Sequence, residues 1–268
     1  FAPHFGGIWQ PIEAYYVDPV WIDTKELFVW GEPSTKTLRF EIPLQGSDLG
    51  AIQGMIDPSQ GYRVCLRHRI EAFGEKSLSK DERWNEHWVE LSREQVEELR
   101  VEGKVVLKGS VNVPQPVLWS PHRPSLYEVQ VGFESFASRE QNVNQESSKG
   151  QETRSWIDLV STYAGFREVR ADGSRLLLNG EPLRVRGILN WGYAPPSVAP
   201  SLDPEHWRKE LQLVKDYGFN LMKFCLWVPP KGYLEMADRM GVLVWIEYPT
   251  WHSRWSLDAL PTLEREFD

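Results

Sequence analysis

Three consecutive segments decide the fold: NGEPLRVRGILNWGYAP (179–195), EHWRKELQLVKDYGFNLMKFCLW (205–227) and KGYLEMADRMGVLVWIEYPTWH (231–252). Their hydrophobic periodicity reads strand, helix, strand, helix, strand. Asn179-Gly180 predicts a two-residue hairpin turn between 174–178 and a strand over 183–188, because both residues tolerate the positive φ such turns need. In the first helix Asp203 supplies a cap, Pro204 fits the opening position and Gly218 ends it. Trp207, Leu211 and Val214 then form one apolar stripe at i, i+4 and i+7.

The next strand, 220–227, is apolar except for Lys223. After a helix at about 232–240, the strand at 242–248 is apolar except for Glu247. Strands apolar on both faces belong to parallel sheets covered by helices, so three of them with helical crossovers predict a βα-barrel or a doubly wound sheet. No glycine-rich phosphate loop follows any of them, which disfavours the nucleotide-binding version. Side-chain alternation sends Met222, Phe224 and Leu226 toward the helices and Lys223 to the other face. Glu247 closes its strand at the C-terminal end, where barrel enzymes hold their chemistry. Arg186, at the end of the first strand, is expected to join both as a structural ion-pair partner. Such a cluster suits an ion-pair network and a substrate contact equally, since buried charges need partners either way.

Upstream, short segments such as TLRFEIPL and LYEVQVGF alternate apolar and polar residues between turn signals, the pattern of a β-sandwich. The charged runs EKSLSKDERWN (75–85) and SREQVEELRVEG (92–103) read as insertions, the second as a short helix. The aperiodic run at 138–154 reads as a hairpin loop. The two cysteines, Cys65 and Cys225, lie in different domains and in apolar strands, so buried free thiols are expected. A net charge of −8 without basic clusters removes the main attraction for nucleic acid or anionic membrane. No stretch is apolar for the roughly 20 residues of a membrane span, and the six histidines show no metal-ligand spacing.

Several pieces resemble glycoside hydrolase family 2, the β-galactosidase, β-glucuronidase and β-mannosidase group. They are GFREVRADGSRLLLNGEPLRVRGIL (165–189), YGFNLMKF (217–224), YLEMADRMGVLVWIEYP (233–249), VLWSPHRPSLYEVQV (117–131) and GGIWQP (6–11), in the family's order. The resemblance implies a multidomain β plus α/β architecture. Residues 1–14 would be the stub of a jelly-roll sugar-binding domain, 15–168 an immunoglobulin-like β-sandwich, and 169–268 the first three βα units of an incomplete TIM barrel. It implies a fragment of a retaining exo-β-glycosidase with a carbohydrate substrate and no cofactor. The family's acid/base and nucleophile glutamates lie beyond the third strand, so no catalytic residue is assigned and the chain alone is expected to be inactive. Departures matter too. Lys223 stands where many members carry Arg, and Leu226-Trp227-Val228 replaces a His-Tyr-Pro run, which argues against a galactosidase-type metal site.

Asn190, in a loop similar to a subgroup with Asp or Asn at that point, is a candidate ligand for a sugar hydroxyl. The thirteen tryptophans suit either packing or stacking on sugar C–H faces. Packing is expected of Trp21, Trp156 and Trp245. Sugar contact is expected of Trp191, Trp227, Trp251 and Trp255, with Lys223, Glu247 and His252 beside them. The rival reading is a non-catalytic carbohydrate-binding or adhesive sandwich. A homo-oligomer and a periplasmic or extracellular location are working expectations only.

Overall fold

The computed structural model describes residues 12, 14–70, 84–136, 156–194, 199–247 and 256–267. Contacts divide the chain into one compact unit, Ile12–Arg184, and a second that runs from Val185 onward. Of the segments expected at 1–14 and 75–85, residues 1–11, 13 and 75–83 lie outside the described residues, as do all of 138–154 and Trp251, His252 and Trp255.

The first unit contains β1 (Val20–Ile22), β2 (Phe28–Glu32), β3 (Thr37–Gly46), α1 (Leu49–Met55), β4 (Gly61–Ile70), β5 (Asn85–Glu90), α2 (Arg93–Glu102), β6 (Lys104–Asn112), β7 (Tyr127–Phe136) and β8 (Asp158–Ala164). They make two four-stranded antiparallel sheets. In one, β6 runs along one edge of β3 while β1 and β2 share the other; the second has the order β5-β4-β7-β8. The period of two predicted for β3 and β7 is what builds the interior. Leu38, Phe40, Ile42 and Leu44 of β3 meet Tyr62, Val64 and Leu66 of β4 and Val129, Val131 and Phe133 of β7 in one buried cluster. The helix expected at 92–103 is α2, opened by a reciprocal pair of hydrogen bonds between Ser92 and Gln95 and closed by Gly103 at φ 74°. Its Val96 and Leu99 reach the core, so the insertion is part of the packing. Helix α1, capped by Asp48, is not expected from the sequence, and its Ile52 reaches the core.

A three-stranded sheet follows, made of β9 (Val169–Asp172), β10 (Arg175–Leu178) and β11 (Glu181–Pro182). Asn179 and Gly180 sit at φ 55° and 85°, as the two-residue turn requires. The Asn179 side chain accepts from the Glu168 N–H at 3.0 Å and donates to the Trp119 carbonyl at 2.9 Å. Trp119 is fully buried, and the Arg167 guanidinium lies 4.8 Å from its ring. The expected strand at 183–188 is split. Residues 183–186, after the short return β11, join no strand, and the parallel sheet starts afresh at β12 (Gly187–Asn190). The hairpin therefore belongs to the first unit.

The second unit alternates β12, α3 (Pro204–Asp216), β13 (Leu221–Phe224), α4 (Lys231–Met240) and β14 (Leu243–Ile246), with α5 (Leu260–Phe267) beyond. The strands are parallel in the order β12-β13-β14. Asp203 caps α3 and Pro204 opens it, and Trp207, Leu211 and Val214 bury the predicted stripe against Met222, Phe224, Tyr233 and Ala237. Leu226, expected to continue the helix-facing row, has left the strand and turns at φ 63°. Trp245, expected in the core, is 57% exposed. Trp21 and Trp156 are half-buried. Both cysteines are buried thiols outside any disulfide, as expected.

Candidate functional site

Because Met222 and Phe224 bury toward α3 and α4, the alternate residues of the parallel sheet point to its other face. The register sets Leu189, Lys223 and Trp245 side by side there. Lys223 Nζ lies 2.8 Å from Glu247 Oε2 and 5.0 Å from the centroid of the Trp245 ring. Glu247 follows β14, and its N–H donates to the Phe224 carbonyl at 3.0 Å, so the ladder itself fixes where the carboxylate starts. The Lys223 hydrogen bond, then one from the Cys225 thiol, holds Glu247 below the usual carboxylate range. Burial first, then the Glu247 carboxylate, pushes the Cys225 thiol up. At neutral pH the site thus presents an ammonium, a carboxylate, a neutral thiol and a flat indole. Side-chain exposures of 29% and 32% leave Lys223 and Glu247 reachable from solvent. An ionised pair beside an aromatic face can bind hydroxyls and stack a sugar ring. A carboxyl held in its anionic form is poorly suited to be a general acid.

Asn190 sits on the helix-facing side instead. Its Nδ2 is 3.3 Å from Glu210 Oε1 and 3.4 Å from Met222 Sδ, and its Oδ1 accepts from the Gly192 N–H at 2.7 Å. The buried Tyr233 hydroxyl lies 3.1 Å from Glu210 Oε2 and 3.2 Å from Met222 Sδ. Burial, then the Glu210 carboxylate, raises the Tyr233 hydroxyl far enough to keep it a donor. The Trp227 indole N–H donates to the Asn190 carbonyl at 3.1 Å, and its ring packs edge-on to Phe224 and Tyr233. Gly192, at φ 74°, lies against that ring, where a Cβ would come within 2.8 Å. Asn190 and Trp227 therefore shape the loop after β12, and Asn190 does not share a face with Lys223 and Glu247. Trp191 of that loop is half-buried.

Arg186 also departs from expectation. It precedes β12, with its N–H donating to Asn220 Oδ1 at 2.8 Å, at the end of the sheet opposite Glu247. The residue that joins Lys223 and Glu247 is Trp245. Among the described residues no group of three or more His, Cys, Asp or Glu is placed to hold a metal.

No family model matches the chain. It is 26% identical over 134 residues to a β-galactosidase of Pectobacterium atrosepticum, covering 50% of this chain and 11% of that protein. It is 27% identical over 143 residues to a β-galactosidase of Thermoanaerobacter pseudethanolicus, covering 53% and 17%. Among solved structures, a β-glucuronidase of Bacteroides uniformis superposes with a TM-score of 0.60 at 20% identity, over 88% of this chain and 25% of that one. A glycosyl hydrolase family 2 member of Bacteroides cellulosilyticus superposes with a TM-score of 0.62 at 19% identity, over 94% and 28%. The resemblance is to glycoside hydrolase family 2. The chain spans only 11% and 17% of the length of these two curated relatives, and the structural likeness to family 2 concerns the fold: mostly strands with some helices.

Sequence reasoning missed Trp245, Cys225, Glu210 and Tyr233. Trp245 had a usable signal, since it lies two residues before Glu247 and so shares its face. Glu210 and Tyr233 come from two helices, and nothing local to either reveals that both reach Met222.

Proposed function

We propose that this chain is part of a retaining exo-β-glycosidase of family 2. In this reading the first unit is an immunoglobulin-like sandwich, and the strands from β12 to β14 open a TIM barrel whose acid/base and nucleophile glutamates lie outside these residues. The Lys223–Glu247 pair beside Trp245 forms part of one sugar subsite, with Trp191, Trp251 and His252 as further contacts. Asn190 and Trp227 enter the site through the loop they hold.

The observation that carries the reading is the Lys223–Glu247 contact of 2.8 Å at the C-terminal end of a parallel sheet, on the face turned away from its helices. That is where barrel enzymes gather substrate-binding groups. Exposed apolar side chains on the outer strands, Ile188 and Leu189 of β12 and Trp245 and Ile246 of β14, suit strands that pair and pack further. A sandwich that binds sugar without catalysis is less favoured. Its aromatic outer face is already engaged by its own arginines, with Arg63 4.0 Å from the Trp88 ring and Arg69 4.5 Å from the Trp84 ring.

The test is hydrolysis of aryl β-glycosides. No turnover is expected from these 268 residues alone. Clear turnover that Glu247→Gln abolishes would overturn the assignment of the reactive acids elsewhere.

A further inference from the structure

His68 of β4 and His87 of β5 stand out in the first unit for what they lack. His68 is 4% exposed, yet among the described residues neither of its ring nitrogens has a hydrogen-bond partner, nor does Nε2 of His87. Both residues belong to the inward-facing rows of their strands, since Leu66 pairs with His87 and His68 with Asn85 across the β4–β5 ladder. Their rings stack with centroids 5.4 Å apart and planes 1° from parallel. That geometry keeps the in-plane lone pairs from converging on one ion, so the pair is not arranged as a metal site.

The surroundings give a proton nothing to rest against. From β7 come Val129, opposite His68, and Tyr127, whose ring is 5.9 Å from that of His68 and whose hydroxyl accepts from the Val117 N–H. The opposing sheet contributes Leu38, Phe40, Ile42 and Leu44 to the core. Among the described residues no carboxylate forms an ion pair with either imidazole, and the repulsion that His68 meets on protonation comes from His87.

We propose that the His68–His87 pair is an acid-sensitive latch on the edge strand β5. Neutral imidazoles stack and help hold β5 to β4; protonated, they repel each other inside an apolar interior and the strand lets go. Burial, then the facing His87, lowers His68 from 6.5 to about 4, and burial lowers His87 in the same direction. The unfolded chain takes up protons near 6.5 while the folded one resists, so this contribution is complete above that pH and is lost as pH falls toward 4. The folding equilibrium constant should drop on the order of 10²-fold across that window from His68 alone.

Urea unfolding and hydrogen exchange of the full chain between pH 7.5 and pH 4 test this, with His68→Phe and His87→Phe alongside to remove the shared contribution of the carboxylates. The latch predicts faster exchange of 85–90, after correction for intrinsic chemistry, and a shallower pH dependence of stability in both variants. If His68→Phe does not fold, His87→Phe and an NMR titration of His68 in the parent chain decide. Parallel pH curves in parent and variants, or a His68 that titrates near 6.5, would overturn the latch.

Discussion

The two units bury their sheets in opposite ways. In the first, two sheets turn their apolar faces to each other, so Leu38, Ile42, Val64 and Phe133 are all fully inaccessible. In the second, helices cover one face of a three-stranded parallel sheet, while on the other Leu189 is 47% and Trp245 57% exposed. The first unit spends its strand pattern on its own stability. The parallel sheet keeps a half-exposed row, and the ion pair of Lys223 and Glu247 is set into that row.

Single substitutions should separate the two sharply. Phe133→Ala removes a large side chain from the closed core and should cost about 3–5 kcal/mol by urea unfolding. A loss below about 1 kcal/mol would mean that the first core is not closed. Asn179→Ala keeps the chain at positive φ while deleting a donor to Trp119 and an acceptor for Glu168, so it should cost about 2 kcal/mol. If Asn179→Gly restores all of that loss, backbone strain is the whole effect and the side-chain bonds contribute nothing. Leu189→Ala, on the open face, should stay within about 0.5 kcal/mol of the parent. A cost like that of Phe133→Ala would erase the contrast between the units.

Much of the architecture was legible because both periodicities were clean. TLRFEIPL gave β3, LYEVQVGF gave β7, and Asp203-Pro204 with the Trp207, Leu211 and Val214 stripe gave α3. The differences from expectation have physical reasons. Arg186 falls at the end of the sheet opposite Glu247 because the strand expected over 183–188 does not run through: residues 183–186 join no strand, the Leu183 N–H donates back to the Leu176 carbonyl, and the parallel sheet begins only at Gly187. Trp245, expected to pack, is instead 57% exposed, because strand alternation sets it on the same face as Glu247. Asn190, expected at the site from a loop resemblance, has its side chain engaged by Glu210, Met222 and the Gly192 N–H. A hydrogen-bond network that crosses two helices and a strand leaves no spacing signature in the sequence. The inward-facing imidazole of His68 was equally hidden, since YRVCLRHRI alternates as well with a histidine on the inner face as with a leucine.

The most direct test of the account is to soak crystals of the chain with D-galactose and with D-glucuronic acid. The account predicts a sugar ring against Trp245, within hydrogen-bond distance of Lys223 and Glu247, and absent from Lys223→Met crystals. Sugar bound only on the first unit, or bound equally well by Lys223→Met, would contradict it.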